Sequence, residues 1–143
     1  MDANRAFIDT NIFIYYQRSD DNIKQKISES AINFFDCVVS TQVLNEICNL
    51  LTRKYPTSIF DIKKFILDIK NSSELVLITE PTIAKALDIY MELKLSFFDA
   101  LIVSAALEAN CNYLISEDMH DGLIIENKLQ IVNIYKHTDL LNR

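Results

Sequence analysis

The strongest constraint on this chain is the character of its strand-like segments. Ala6 to Asp9, Val38 to Ser40, Leu75 to Thr79, Asn112 to Ser116 and Leu129 to Asn133 are short, β-favouring and apolar, and none alternates cleanly between polar and apolar residues. A strand with one face in water alternates, whereas a strand covered on both faces does not. Helical stretches fill the intervals, at about 11–16, 24–35, 41–54, 59–70, 82–94 and 97–110. Strand and helix in regular turn predict an α/β fold, a largely parallel sheet covered by helices on both faces. No linker, repeat or low-complexity run interrupts the order. With 143 residues, half of them hydrophobic, residues 1–143 read as one domain with a proper core.

Composition removes several function classes. The single glycine, Gly122, leaves no Gly-rich loop to cradle a dinucleotide or a nucleoside triphosphate. The longest apolar stretch, Ala100 to Leu107, is broken by Ser104 and is far below the roughly 20 residues a bilayer needs, so no membrane span is expected. Met1 to Arg5 lacks the basic start and long apolar run of a signal peptide, and a cytoplasmic location is expected. Cys37, Cys48 and Cys111 form no close pair and lie in apolar surroundings, which suits reduced core thiols. A net charge of −6 argues against holding nucleic acid by bulk electrostatics alone.

Four carboxylates occupy telling places. Asp9 and Asp118 follow strand-like runs, and in open parallel sheets ligands bind just beyond the strands' carboxyl ends. Glu46 borders the apolar stripe Val43, Leu44, Ile47, Leu50 and Leu51, while Asp99 shares a helix face with Ile102, Val103 and Ala106. A carboxylate on an apolar face is costly unless something neutralises it. Each acid also has a plain reading: Asp9 as a helix cap, Asp99 as half of a Ser96-x-x-Asp99 capping box, Glu46 as a solvated helix residue, Asp118 as part of a turn with Asp121 and Gly122. Taken jointly they match the oxygen ligands that Mg²⁺ and Mn²⁺ require, which points to a metal-dependent phosphodiesterase. His120 near Asp118 and His137 near the chain end have weaker claims on the chemistry.

The same segments resemble a known family. Phe7-Ile8-Asp9-Thr10-Asn11-Ile12 resembles the opening strand and Asp-x-Asn turn of PIN-domain nucleases, and Val43-Leu44-Asn45-Glu46 their second acidic motif. Phe98-Asp99-Ala100-Leu101-Ile102 followed by Ala105-Ala106 resembles the third. Tyr113-Leu114-Ile115-Ser116-Glu117-Asp118-Met119 with Asp121-Gly122 is similar to the closing motif, especially that of VapC-type toxins of bacterial toxin–antitoxin pairs. The end, Ile134-Tyr135-Lys136, departs from the Asn-Pro-Phe of the toxin relatives.

The resemblance implies a three-layer α/β/α sandwich around a mostly parallel sheet of four to five strands. It implies that Asp9, Glu46, Asp99 and Asp118 are both catalytic residues and ligands of one or two Mg²⁺ or Mn²⁺ ions, with Asn11, Ser116 and Asp121 as secondary site residues. Glu117 and Asp121 stay open as alternatives to Asp118. The implied activity is endonucleolytic cleavage of single-stranded or structured RNA such as tRNA, leaving 5′-phosphate and 3′-hydroxyl ends, with a cognate antitoxin and a second copy of the chain as partners. A housekeeping RNA-processing nuclease and a catalytically idle binding module are the alternative readings. A phosphatase with an aspartyl nucleophile would need a second acid two residues after Asp9, where Asn11 stands.

For RNA contacts the sequence offers Arg53 and Lys54 first. Arg53 is seven residues beyond Glu46, about 10 Å along a helix at 1.5 Å per residue. Lys63, Lys64 and Lys70 form a second, more ordinary basic face, and Tyr15, Tyr16 and Tyr55 are aromatic candidates for base stacking. On the segment after Pro56, Ile59, Ile62 and Ile66 are spaced to face the core, leaving Phe60 for a partner.

Overall fold

The computed structural model describes residues 4–142, so Met1 to Ala3 of the N-terminal start read above lie outside the described residues. In chain order the elements are β1 (Arg5–Ile8), α1 (Thr10–Gln17), α2 (Asn22–Phe34), β2 (Asp36–Ser40), α3 (Thr41–Arg53), α4 (Ile59–Ser72), β3 (Glu74–Val76), α5 (Glu80–Leu93), α6 (Phe97–Glu108), β4 (Tyr113–Ile115), β5 (Ile124–Ile125) and β6 (Leu129–Val132), closed by a 3-10 turn at Thr138–Asn142. The strands form one sheet in the order β3-β2-β1-β4-β6-β5. All neighbours are parallel except the pair of β5 with β6. Among the described residues six helices flank this sheet as a three-layer α/β/α sandwich.

The topology fixes where a site can form. From β1 the chain steps outward to β2 and β3, then returns across β1 to β4 and steps the other way. Right-handed crossovers therefore place helices on both faces, and the order reverses between β1 and β4. At that switch point the two strands diverge into different connections, which opens a crevice beyond their carboxyl ends. Register confirms the alignment: Ile8 sits opposite Ile115, and the Asp9 amide donates to the Ile115 carbonyl at 3.0 Å.

Central strands are buried on both faces, as their continuous apolar runs require. Ala6, Phe7, Ile8, Val38, Val39, Leu114, Ile115 and Ile131 are fully enclosed. Helix α6 is buried along nearly its whole length, Ala100 to Leu107, because it contributes no wet face. The start of α5 lies against the end of α6, where the Thr82 hydroxyl donates to Glu108 and the Ser104 hydroxyl donates to the Thr82 carbonyl at 2.8 Å.

Three expectations are corrected. The sheet has six strands rather than four to five, because the two-residue β5 is too short to carry any periodic signal. Strand β3 ends at Val76 rather than Thr79; Thr79 instead caps α5. On α4 the buried stripe is Ile62, Phe65 and Ile69, and Ile59 is 61% exposed, since it opens the first turn and projects past the core.

Candidate active site

Each acid reaches the crevice by a different local device. Asp9 is the extended residue between β1 and α1; its Oδ1 accepts the Thr10 amide at 2.8 Å and so caps the helix. Its Oδ2 accepts the Ser116 hydroxyl at 2.8 Å, which ties the end of β1 to the residue after β4. Cap and site residue are thus the same side chain. Glu46 lies one turn into α3, a helix started by Ser40, whose hydroxyl accepts the Val43 amide. The Thr10 hydroxyl donates to Glu46 Oε2 at 3.2 Å. Asp99 is in the first turn of α6, where its amide donates to the Ser96 hydroxyl at 3.1 Å. Asp118 is exposed on the loop after β4, and Asn11 donates to its Oδ2 at 2.6 Å.

These four acids, with Thr10, Asn11, Asn49 and Leu50, line one cavity of about 270 Å³. Among the described residues no Lys, Arg or His lines it. The electrostatic consequence is direct. Burial pushes the Asp9 carboxyl up to about 6, against the pull of the Ser116 and Thr10 hydrogen bonds, and the Asp99 and Asp118 charges add to the rise. Burial pushes Glu46 up to about 7, assisted by the Asp9 charge. Asp99 is raised as well, chiefly by burial, and further by Asp118. Three carboxyls held above their ordinary range in one cavity have no basic side chain to relieve them.

The donor set suits a hard cation. It is all oxygen, and Glu46 Oε1 and Asp118 Oδ1 accept no hydrogen bond among the described residues. The carboxylates face a common space without being clenched around one point: among the described residues no three acidic, His or Cys side chains form a group tight enough to hold an ion as placed. Glu46 and Asp99 are half-buried and Asp118 is exposed.

The neighbours of Asp118 lie elsewhere. Glu117 accepts the Tyr15 hydroxyl and pairs with Lys24. Those contacts lower its carboxyl, although burial opposes them. Asp121, expected beside the site, lines a separate cleft with Tyr113 and His137. It accepts the Asn133 amide at 2.8 Å and pairs with His137 at 2.7 Å, which braces the loop against the chain end. His120 is exposed and takes no part in the cavity. Arg53 and Lys54 are exposed at the far end of α3 and do not line it either. Cys37 and Cys111 are buried thiols pushed up to about 12 by burial, and no cysteine is paired.

Thr10 was not singled out by sequence, yet it contacts two of the acids, through its amide to Asp9 and its hydroxyl to Glu46. In the sequence its one signal is its place inside the strand-end triplet Asp9-Thr10-Asn11.

Residues 6–123 match the PIN domain family. The chain belongs to that family. No curated protein sequence matches this PIN domain closely enough to count. Among solved structures, a toxin–antitoxin complex from Klebsiella pneumoniae superposes with a TM-score of 0.68 at 17% identity, covering 90% of this chain and 96% of the other. VapC20 of Mycobacterium tuberculosis, a sarcin-ricin loop cleaving toxin, gives 0.65 at 16% identity, covering 79% and 91%. VapBC2 of Rickettsia felis, bound to a promoter DNA fragment, gives 0.63 at 17% identity, covering 90% and 98%. At these identities the likeness is one of fold, and it extends over almost the whole of each partner. No helix among the described residues of this PIN domain is long and apolar enough to cross a membrane.

Proposed function

We propose that this PIN domain is a Mg²⁺- or Mn²⁺-dependent endoribonuclease, with Asp9, Glu46, Asp99 and Asp118 as its metal-holding catalytic acids. The observation that carries the reading is the convergence of those four side chains, from the end of β1, α3, α6 and the loop after β4, on one cavity without a basic lining residue among the described residues. A bound divalent cation would activate a water as nucleophile and offset charge on the phosphate and the leaving oxygen. The chain's own part is to present and orient oxygens. Ser116 and the Thr10 amide hold both oxygens of Asp9, the Thr10 hydroxyl holds one oxygen of Glu46, and Asn11 holds one of Asp118. No Ser, Cys or His nucleophile lines the cavity among the described residues, so hydrolysis by water fits the side chains present. Purified protein is expected to cleave single-stranded RNA with Mn²⁺ or Mg²⁺ and to stop in EDTA; undiminished cleavage in EDTA would sink the metal reading.

The cellular role we favour is that of a toxin held by a cognate antitoxin, supported by the fold shared with toxins solved in such complexes. Growth arrest on expression of the active chain alone, relieved by Asp99→Asn, would distinguish this from a housekeeping nuclease. Association with a second copy is expected through exposed apolar surface. On α5, Ile83, Leu87, Tyr90 and Met91 recur at helical spacing and remain exposed, Met91 at 76%. On α4, Phe60 is 76% exposed, as its place off the buried stripe requires. Such surface on a small domain marks an interface. Light scattering at micromolar concentration should give a dimer, and Leu87→Glu should yield monomer; a monomeric parent would remove the proposal.

A further inference from the structure

Beyond the carboxylates, α1 and α3 carry the chain outward together and end beside a second cleft. The cavity is about 570 Å³ and is lined by Tyr15, Arg18, Asp20, Asp21, Lys24 and Tyr55. Helix α1 links the two places. Asn11 binds Asp118, Tyr15 one turn later binds Glu117, and Arg18 stands seven residues beyond Asn11, about 10 Å along the axis. Helix α3 does the same from Glu46 to Arg53, with Lys54 and Tyr55 following directly. That separation corresponds to one or two nucleotides along a strand whose phosphate lies at the acids.

The lining is arranged for a planar, polar ring. The Arg18 guanidinium lies 5.2 Å from the centre of the Tyr55 ring and donates to the Thr57 hydroxyl at 2.9 Å, so its plane is held in place. Lys24 lies 4.5 Å from the centre of the Tyr15 ring. Asp21 is already used, since its carboxylate caps α2 by accepting the Ile23 and Lys24 amides. Asp20 is exposed and has no partner among the described residues. A bare phosphate site would not include a free carboxylate. A nucleobase carries donors, acceptors and a π face together, and unstacked RNA bases pack on Tyr rings and Arg planes.

We infer that this cleft seats one unpaired base of the RNA, stacked on Arg18 and Tyr55, next to the nucleotide held at the acids. The inference rests on the endoribonuclease reading and adds to it a base-recognising position. Arg18 in the lining and Arg53 and Lys54 at the end of α3 form no ion pair among the described residues, and they outnumber the cleft's Asp20 and Asp21 once Lys24 is taken by Glu117, which in a chain of net charge −6 favours a nucleic-acid strand over a protein segment as occupant.

The test compares a short fluorescein-labelled single-stranded RNA of mixed sequence with an abasic strand of equal length, which keeps the phosphates and loses the bases. Binding is read by anisotropy on the full chain carrying Asp99→Asn, without metal. That protein is expected to prefer the base-bearing strand. Adding Arg18→Ala or Arg18→Lys should each cut that preference about tenfold, within the range measured for loss of one stacked base, while leaving affinity for the abasic strand changed little by the lysine. Arg18 is exposed, so neither change threatens the fold. A preference left intact in both variants overturns the inference alone, and if the same variants loosen an antitoxin, the cleft belongs to that partner. Equal weakening of both strands by Arg18→Ala, with recovery by Arg18→Lys, makes it a plain charge site and also overturns it. Failure of the Arg18-intact protein to bind either strand overturns the inference, and the endoribonuclease reading falls with it only if the unsubstituted protein also fails to cleave RNA with Mn²⁺.

Discussion

Asp9→Asn and Asp99→Asn are each expected to abolish metal-dependent RNA cleavage while leaving the metal-free protein at least as heat-stable as the parent. Both results come from the same charge. The cavity has no basic lining residue among those described, and burial holds Asp9 well above its ordinary value, at about 6 against 3.8. At pH 7 its ionised form is therefore a cost to the fold of up to about 3 kcal/mol, from the roughly 1.36 kcal/mol that accompanies each pKa unit. Asparagine removes the charge and can retain the cap, because its single oxygen can still accept the Thr10 amide. The lost carboxylate, in contrast, is an oxygen the cation needs. Ser116→Ala provides the graded control: the hydroxyl only orients Asp9, and removing such a supporting hydrogen bond typically costs about 10- to 100-fold in activity or metal affinity. Cleavage rates with Mn²⁺ and thermal melts in EDTA check both halves. An Asp9→Asn protein that is folded and still active would remove Asp9 from the chemistry.

The parts legible in the sequence were those written in local pattern. Parallel strands buried on both faces appear as continuous apolar runs, as at Phe7, Val38, Leu114 and Ile131. Helix caps are local as well, and Ser40, Ser58 and Ser96 each cap where a helix was expected to begin. The four acids were found because each stands at a strand end or beside an apolar stripe. Among Glu117, Asp118 and Asp121 the sequence favours Asp118 but leaves the other two open, since what separates them is partners far along the chain. Tyr15 and Lys24 draw Glu117 one way, His137 and Asn133 hold Asp121 another, and Asn11 takes Asp118. The second cleft was hidden for the same reason. Tyr15 and Tyr55 are stacking candidates by residue type alone, but the place of Arg18 beside Tyr55 exists only once α1 and α3 lie side by side, and no periodicity reports that contact.

In EDTA, the protein is expected to lose stability as pH rises from about 4 to about 7, the reverse of ordinary acid denaturation. Asp9 and Glu46 bind their protons more tightly when folded, at about 6 and about 7 against 3.8 and 4.5. Between the unfolded and folded values the native state thus carries more protons than the unfolded chain, and the slope of stability with pH is negative there. Their contribution is fully present below pH 4 and is spent once both are ionised, above pH 7. Glu117 and Asp121 act in the opposite sense: their carboxyls are lowered by Lys24, Tyr15, Asn133 and His137, so the stability they lend is lost as pH falls below about 4. The two pairs thus act in opposite senses, and the raised pair governs the slope between about pH 4 and pH 7. Mn²⁺ should reverse the trend at pH 7, because it binds the ionised acids of the folded state only; at about 100 times its Kd it adds about 2.7 kcal/mol. Its uptake near pH 6 should release protons for the same reason. Urea melts across this range with and without Mn²⁺ measure the effect directly. Stability in EDTA that is flat or rises from pH 4 to 7 would show that these carboxyls are not the buried, mutually repelling set described here.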